Sequence, residues 1–290
     1  MVKRATEPAP AKRAVPAAKV KKEGDAQNSL ARMLGLLDLF TPSATVRPVT
    51  DLVNYLGTSR STSYRYIKAL HEAGLIEAVA NGHYVLGPRI VEFDRQIRMS
   101  DPLYKGGAQV LRPLVDLTTH SALLCALYSD SVMCIRDEQA PDSPPNIFSR
   151  GQRRPLFAGA ASKIILPYVP PHRLRSIFKQ HQRAIAIAGL GTDWQGFRDH
   201  LAAIRRDGYL MTHGEFNPGV FGISAPVFNA DGLVIGSIGI AGSASRLDKK
   251  RLPQFCEAVV GAASHLTSIL ADESAELVRP PRAFGSLPGR

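Results

Sequence analysis

Four polar side chains on one predicted helix have the chemistry to contact DNA. In GTSRSTSYRYIKALHEAGL (residues 57–75), Arg60, Ser61, Tyr64 and Arg65 fall on one side of a helical pattern. Arginine donates paired hydrogen bonds to guanine, and serine reaches phosphates or base edges. We therefore predict that these side chains enter a groove of DNA. The alternative is an ordinary solvent-exposed helix face.

Three short helices are predicted to position this surface. The first covers Ser29–Phe40, the second Asp51–Leu56 and the third Arg60–Ala73. The tight turn before the third helix matches a helix-turn-helix, in which the second helix of the pair enters the major groove. The flanking polar residues are then expected to contact the DNA backbone: Thr58, Ser59 and Lys68.

A β-hairpin is predicted directly after the third helix. The β-prone segments Ile76–Val79 and His83–Leu86 flank Asn81-Gly82, a pair that tolerates the positive φ of a tight turn. Helix-turn-helix followed by hairpin is typical of a winged helix. We expect Asn81 and His83 at the wing tip to lie near phosphates or a minor groove.

The rest of the chain predicts an α+β domain. Pro88–Ser100 indicates a linker helix with an apolar line at Ile90, Phe93 and Ile97. Beyond it, helices and antiparallel strands alternate irregularly. Further helices are expected at 103–119, 158–169, 172–182, 194–207 and 251–272, and strands at 122–129, 132–138, 220–228 and 233–242.

Composition narrows the classes of function. The 290 residues carry a net charge of +11, which is compatible with a polyanionic partner, and residues 1–27 form a Lys-, Ala- and Pro-rich basic arm predicted to be disordered. Three cysteines make no disulfide framework, so a reducing, cytoplasmic location is expected. The sequence contains no apolar run of about 18 residues, so it predicts no membrane span.

Catalysis, metal binding and cofactors are not indicated. The eight histidines form no recognisable metal or nucleophile motif, and GISAP (222–226) lacks the final glycine of a nucleophile elbow. Cys125 and Cys134 should lie opposite each other on a hairpin. Two small buried side chains are the simpler interpretation, and a redox pair is the alternative.

The order of motifs resembles the IclR family of bacterial transcriptional regulators. The resemblance rests on SLARMLGLLDLF, SRSTSYRYIKALHEAGLI and GHYVLGPRIVEF, then on GQRRPLFAGAASKIIL, IRRDGY and GVFGISAPVFNADGLVIGSIGIAG. It implies a winged helix-turn-helix domain (28–87), a linker helix (88–101), a GAF-like effector-binding domain (102–274) and a disordered tail (275–290). It also implies double-stranded DNA, a small organic acid and a second copy of the chain (homodimer or homotetramer) as partners.

The resemblance places an effector pocket between the helix after RRPLFAG and the last two long strands. Small, weakly polar residues at the matching positions argue against a very small acid and favour a larger, possibly aromatic one. Arg154 or Arg150 is expected to hold its carboxylate; a solvated basic loop is the alternative. The remaining candidate lining residues are Gly159, Ala160, Ala161, Thr212, Glu215, Val220, Gly222, Gly239 and Ala241.

Three functions compete at this point. The first is a ligand-responsive regulator of a catabolic operon, binding an inverted repeat with half-sites about one helical turn apart. The second is a non-specific DNA-coating protein without an effector, which the basic arm suits and the long second domain does not. The third, an enzyme, lacks any supporting motif.

Overall fold

The computed structural model describes residues 29–129, 131–145 and 147–276. The predicted basic arm (1–27) and all but the first two residues of the predicted tail lie outside this range. The chain divides into two compact units, Met1–Arg95 and Gln96–Arg290. The division falls inside the helix that was predicted as a linker.

The N-terminal unit is a three-helix cluster with a small antiparallel sheet. Its sheet order is β1-β3-β2. The first predicted helix narrows to a 3-10 turn after Gly35, and a short strand that the sequence did not indicate precedes the second helix. The elements are α1 (Ser29–Gly35), β1 (Arg47–Pro48), α2 (Val49–Leu56), α3 (Arg60–Glu72), β2 (Ile76–Val79) and β3 (His83–Leu86). The next helix, α4 (Arg89–Ser100), contains the division between the two units.

A compact apolar core holds α3 in place. Gly57 ends α2 in the left-handed conformation (φ 58°), which lets the chain turn within three residues into α3. Ile67 and Leu70 of α3 are each 1% exposed and pack with side chains from α2 and β2. The core of this unit consists of Leu36, Leu52, Leu56, Ile67, Leu70 and Ile76.

The C-terminal unit is built around a six-stranded antiparallel sheet of order β6-β5-β4-β9-β8-β7. Helices cover both faces of the sheet. The elements are α5 (Pro102–Thr118), β4 (Ser121–Tyr128), β5 (Ser131–Glu138), β6 (Arg153–Pro155), α6 (Ala160–Lys163), α7 (Pro171–Ile187), α8 (Trp194–Asp207), β7 (Leu210–His213), β8 (Val220–Phe228), β9 (Val234–Ser243) and α9 (Leu252–Glu276).

Strand alternation separates two apolar cores. On one face, Leu124, Ile223 and Ile238 pack against α5 and α9. On the other face, Leu123 and Ala241 belong to a second core that includes α7 and α8. Because neighbouring residues along a strand point to opposite faces, one sheet serves both layers.

Several sequence-based boundaries differ from the structure. The helix predicted at 158–169 is only four residues long, because Pro167 lacks the amide hydrogen that a continuing helix needs. A 3-10 turn at Leu166–Tyr168 takes the place of its predicted second half. The helix predicted at 172–182 continues to Ile187 past a non-helical residue, His181. The edge strands β6 and β7 were not predicted, and α9 extends into the predicted tail.

The hairpin prediction around Cys125 and Cys134 is confirmed. The two residues are partners in the β4–β5 register, and both are fully buried. A hydrogen bond with Cys125 and burial both raise the pKa of the Cys134 thiol, so the thiol is neutral near pH 7. The described residues contain no helix long and apolar enough to cross a membrane and no group of side chains that could hold a metal ion.

Candidate DNA-binding surface and effector pocket

Helix α3 is fixed at its start by a hydroxyl cap. The Ser59 hydroxyl accepts a hydrogen bond from the Thr62 amide at 3.3 Å, satisfying an amide that has no partner inside the helix. The hydroxyls of Thr58 and Ser63 lie 2.9 Å apart, and Ser63 is fully buried. Ser59 and Thr58 were predicted to contact the DNA backbone; in the structure their hydroxyls hold the turn.

The predicted groove-facing residues form one exposed surface on α3. Arg60, Ser61, Tyr64, Arg65 and Lys68 are all exposed. The Arg60 guanidinium lies 5.9 Å from the centre of the Tyr64 ring, and a 3.6 Å ion pair joins Lys68 to a neighbour one turn later. The Arg65 guanidinium lies 5.8 Å from the centre of the adjacent Tyr66 ring. No contact with a buried group of the described residues gives Arg65 a structural role. The surface thus has the charge and reach to meet a nucleic-acid groove.

The wing tip turns at the predicted pair of residues. Asn81 and Gly82 have φ values of 60° and 68°, and strands β2 and β3 pair through Val79 and His83. The His83 ring nitrogen Nδ1 lies 3.0 Å from the Asn81 carbonyl. His83 is therefore partly occupied with its own turn, whereas Asn81 is exposed.

A cavity in the C-terminal unit gathers most of the predicted effector residues. Of the eleven candidates, nine line it, and Arg150 and Gly239 do not. Residues that the sequence analysis did not single out complete the wall. The lining consists of Leu123, Phe148, Arg154, Gly159, Ala160, Ala161, Thr212, Glu215, Phe216, Asn217, Val220, Phe221, Gly222, Ser224, Ile240 and Ala241.

Arg154 is the distinctive group of this cavity. Its guanidinium lies between the rings of Phe148 and Phe216, 4.0 Å from each ring centre. Its Nε atom is buried and, among the described residues, has no hydrogen-bond acceptor. Burial lowers the pKa of Arg154 to about 10, so the side chain still carries its charge near neutral pH. Stacking uses the faces of the guanidinium and leaves its N–H edge to meet a planar anion.

Glu215 does not neutralise this arginine. Its Oε1 accepts a hydrogen bond from the Lys163 ammonium at 2.8 Å, and its Oε2 accepts one from the Gly159 amide at 3.1 Å. The Thr212 hydroxyl accepts from the Ala160 amide at 3.1 Å. Lys163, only 6% exposed, thus forms a balanced pair with Glu215. One uncompensated positive charge, that of Arg154, remains in the cavity wall.

The two predicted residues outside the lining have structural explanations. The Arg150 guanidinium donates to the Ile135 carbonyl at 2.7 Å and lies over the Tyr104 ring. The space in front of Gly239 is taken by Ser224, whose hydroxyl would collide with any Cβ added there. Arg154, rather than Arg150, is therefore the arginine available to a ligand.

The cavity is narrow in this conformation. The space open to the centres of water molecules is about 40 Å³. At roughly 10–15 Å³ for each water, this cavity holds about three water molecules. An organic acid with a ring needs more room than this. A Cβ added at Gly222 would lie 3.7 Å from its nearest neighbour, Ala160 Cβ, which is an ordinary van der Waals distance. The absence of a side chain at Gly222 therefore leaves space for about one methyl group in the cavity.

Comparison with known proteins assigns the chain to a family. A model of the IclR helix-turn-helix domain matches residues 29–80, and a model described as "Bacterial transcriptional regulator IclR C-terminal" matches residues 100–268. The chain belongs to the IclR family of bacterial transcriptional regulators. This confirms the resemblance and the fold class: an N-terminal helix-turn-helix domain joined to a C-terminal α+β domain.

Individual relatives of this IclR-family protein match over most of their length. The regulator KipR of Bacillus subtilis is 26% identical over 241 residues, which are 82% of this chain and 95% of KipR. An IclR regulator from Alicyclobacillus acidocaldarius superposes with a TM-score of 0.70 at 22% identity, covering 83% of this chain and 98% of that one. An IclR homologue from Microbacterium hydrocarbonoxydans, solved with 4-hydroxybenzoate, gives 0.66 at 20% identity, covering 83% and 100%. The chain is a DNA-binding transcriptional regulator.

Proposed function

We propose that this regulator binds an inverted-repeat operator as a dimer and that an organic acid held by Arg154 changes its occupancy of the operator. The observation that carries the ligand half of the proposal is a charged, partly buried guanidinium between two rings, with its Nε atom buried and with no carboxylate partner among the described residues. A buried charge is costly unless it is paired, so such a site favours an incoming anion. The flat rings of Phe148 and Phe216 beside it favour an acid with a flat or apolar body.

The DNA half rests on the exposed side chains of α3. Arg60 and Arg65 lie on the outward face of a helix whose inward face is fully packed. In this geometry, arginines near the start of the helix read bases while Lys68 and the wing hold the backbone. We expect an inverted repeat because two copies related by a two-fold axis present two such helices.

Pairing of copies is supported by an exposed apolar line on α4. Phe93 and Ile97, one helical turn apart, are 40% and 51% exposed, and no residue of this helix is buried. A second copy covering this line would remove it from water. Ile97→Glu is expected to yield monomers in size-exclusion chromatography with light scattering, whereas Arg95→Glu, on the same helix, is not. An unchanged mass for Ile97→Glu would remove α4 from the pairing surface.

The deciding experiment is selection of bound fragments from the source genome with purified protein at physiological salt, followed by release with candidate acids. Recovery of one inverted repeat near a set of catabolic genes, and its release by an acid of that pathway, supports the proposal. Arg60→Ala should lose the preference for that repeat. Uniform recovery that disappears steeply as salt rises would favour non-specific coating of DNA instead.

A further inference from the structure

A second cavity lies beside the effector pocket in the C-terminal unit. The space open to the centres of water molecules in this cavity is about 370 Å³. This volume is within the range of about 300–1,000 Å³ that is usual for small-molecule sites. Ala241 belongs to the wall of both cavities. The lining of the second cavity consists of Thr119, His120, Ser121, Ala140, Asp142, Ser143, Pro144, Ala241, Gly242, Ser243 and Arg246.

The sheet gives the two cavities a continuous floor. Thr212 pairs with Gly222, Gly222 with Ala241, and Ala241 with Ser121, each across neighbouring strands. Residues directly opposite each other in a sheet share a face, so these four form one row. Three strand spacings of about 4.8 Å make the row about 14 Å long. Thr212 stands in the first cavity, Ser121 in the second, and between them the floor has only a glycine and an alanine.

One chain segment forms part of the wall of both cavities. Phe148 stacks on Arg154 in the first cavity, and Ser143, five residues earlier, lines the second. The Ser121 hydroxyl donates to the Ser143 hydroxyl at 2.7 Å, which ties this segment to the floor. A 2.9 Å ion pair between Arg246 and Asp142, both largely exposed, joins two walls of the second cavity.

The second cavity is polar but carries no spare charge. Its one ion pair is internally balanced, and its other polar groups are hydroxyls and the His120 ring. His120 is only 8% exposed, lies edge-on to the rings of Phe221 and Phe255, and has no side-chain hydrogen-bond partner among the described residues. Burial and the nearby Arg251 and Arg246 lower the pKa of His120, so the ring is neutral near pH 7. Because Phe221 and Phe255 belong to the core against α5 and α9, the His120 ring lies on the face of the sheet opposite the row of Gly222 and Ala241. The polar groups at the end of that row are the hydroxyls of Ser121 and Ser143, which suit a hydroxyl or amide group of a ligand better than a second carboxylate.

We infer that the two cavities are one elongated effector site, which takes an organic acid longer than a single ring with a neutral hydrogen-bonding group at its far end. The carboxylate meets Arg154, the body lies over Gly222 and Ala241, and the far group meets the hydroxyls of Ser121 and Ser143. This inference rests on the proposed function of Arg154. It explains why the Arg154 cavity alone is too small: it holds only the head of the ligand.

The test is calorimetric titration of the full-length protein with ω-hydroxy alkanoic acids of increasing chain length, each beside the same acid without the hydroxyl. Affinity should rise with length until the chain reaches the second cavity, where the hydroxyl should add about 2–10-fold, the value of one net hydrogen bond. Ser143→Ala removes one of the hydroxyls at the end of the row and should reduce that hydroxyl effect alone, whereas His120→Phe, on the other face of the sheet, should leave it unchanged.

Two variants close the second cavity from different walls. Ser143→Leu and Ser243→Leu should each reduce the affinity for the long acids at least tenfold and leave the short acids unchanged. Ser149→Leu, on the same segment as Ser143 but outside both linings, is the matched control. If both blocking variants bind long acids like the wild type, or affinity does not rise with length, the elongated site is wrong. If Arg154→Met also leaves every affinity unchanged, or the wild type binds no acid of any length, the proposed function fails as well.

Discussion

Replacing Arg154 with methionine should stabilise the C-terminal unit while removing the proposed binding of an organic acid. Methionine keeps an unbranched side chain between the rings of Phe148 and Phe216 but brings no charge that must be buried. The guanidinium packs against those rings, but its Nε atom has no hydrogen-bond partner and the group has no carboxylate partner among the described residues.

The magnitude follows from the burial of the charge. Burial lowers the pKa of Arg154 from its ordinary value to about 10, and at roughly 1.4 kcal/mol per pKa unit this disfavours the charged form by about 3 kcal/mol. Because the folded-state pKa lies below the unfolded value, this cost is fully present at every pH below about 10. Two cation–π contacts offset about 1–2 kcal/mol of it. The variant should gain about 1–2 kcal/mol, a rise in Tm of roughly 2–8 °C.

Thermal unfolding without ligand and calorimetry with the selected acid measure both effects. Losing charge-assisted hydrogen bonds worth about 1.5–3 kcal/mol should weaken acid binding about 10–100-fold. Arg153→Met, which replaces the exposed neighbour, should change neither quantity. A lower Tm together with unchanged acid affinity for Arg154→Met would refute the assignment of Arg154 as the anchor.

Three further predictions concern other parts of the molecule. Arg60→Ala should cost about 1–3 kcal/mol of operator affinity and relax the preference at one base position in a binding-site selection. Lys68→Ala should weaken binding to all DNA sequences alike. If Arg60→Ala weakens binding to every sequence equally, Arg60 does not read a base. Gly222→Ala should leave Tm nearly unchanged, because its Cβ has room, yet weaken binding of bulky acids in calorimetry; unchanged affinity would place the ligand elsewhere. The pKa of His120 is lowered in the folded state, so the unfolded chain binds more protons and stability should fall as pH drops below about 6.5. His120→Phe should flatten that part of the Tm–pH curve, and a curve as steep as that of the wild type would contradict the assignment.

The sequence predicts elements well where the determining signals are local. Helix Trp194–Asp207 has its expected bounds because Asp193 caps the start and Gly208 ends it in the left-handed conformation. The hairpin around Asn81-Gly82 is likewise encoded by two residues that tolerate positive φ. The core face of α3 follows directly from helical spacing.

The candidate site depends on contacts that no local pattern carries. Phe148 and Phe216 are 68 residues apart in the chain, and nothing in either neighbourhood shows that both stack on Arg154. Gly239 matched a family position, but Ser224 of the next strand fills its space. Strands β6 and β7 are three and four residues long, and their pairing with longer partners, rather than their own pattern, makes them strands. Such features required the folded chain.

The central claim is that an acid bound at Arg154 controls operator occupancy. The most direct test measures operator affinity by fluorescence anisotropy as a function of acid concentration, for the wild type and for Arg154→Met in parallel. We expect the acid to shift the operator affinity of the wild type and to leave that of Arg154→Met unchanged, while both proteins bind the operator equally well without acid. An equal response of the two proteins to the acid would contradict it.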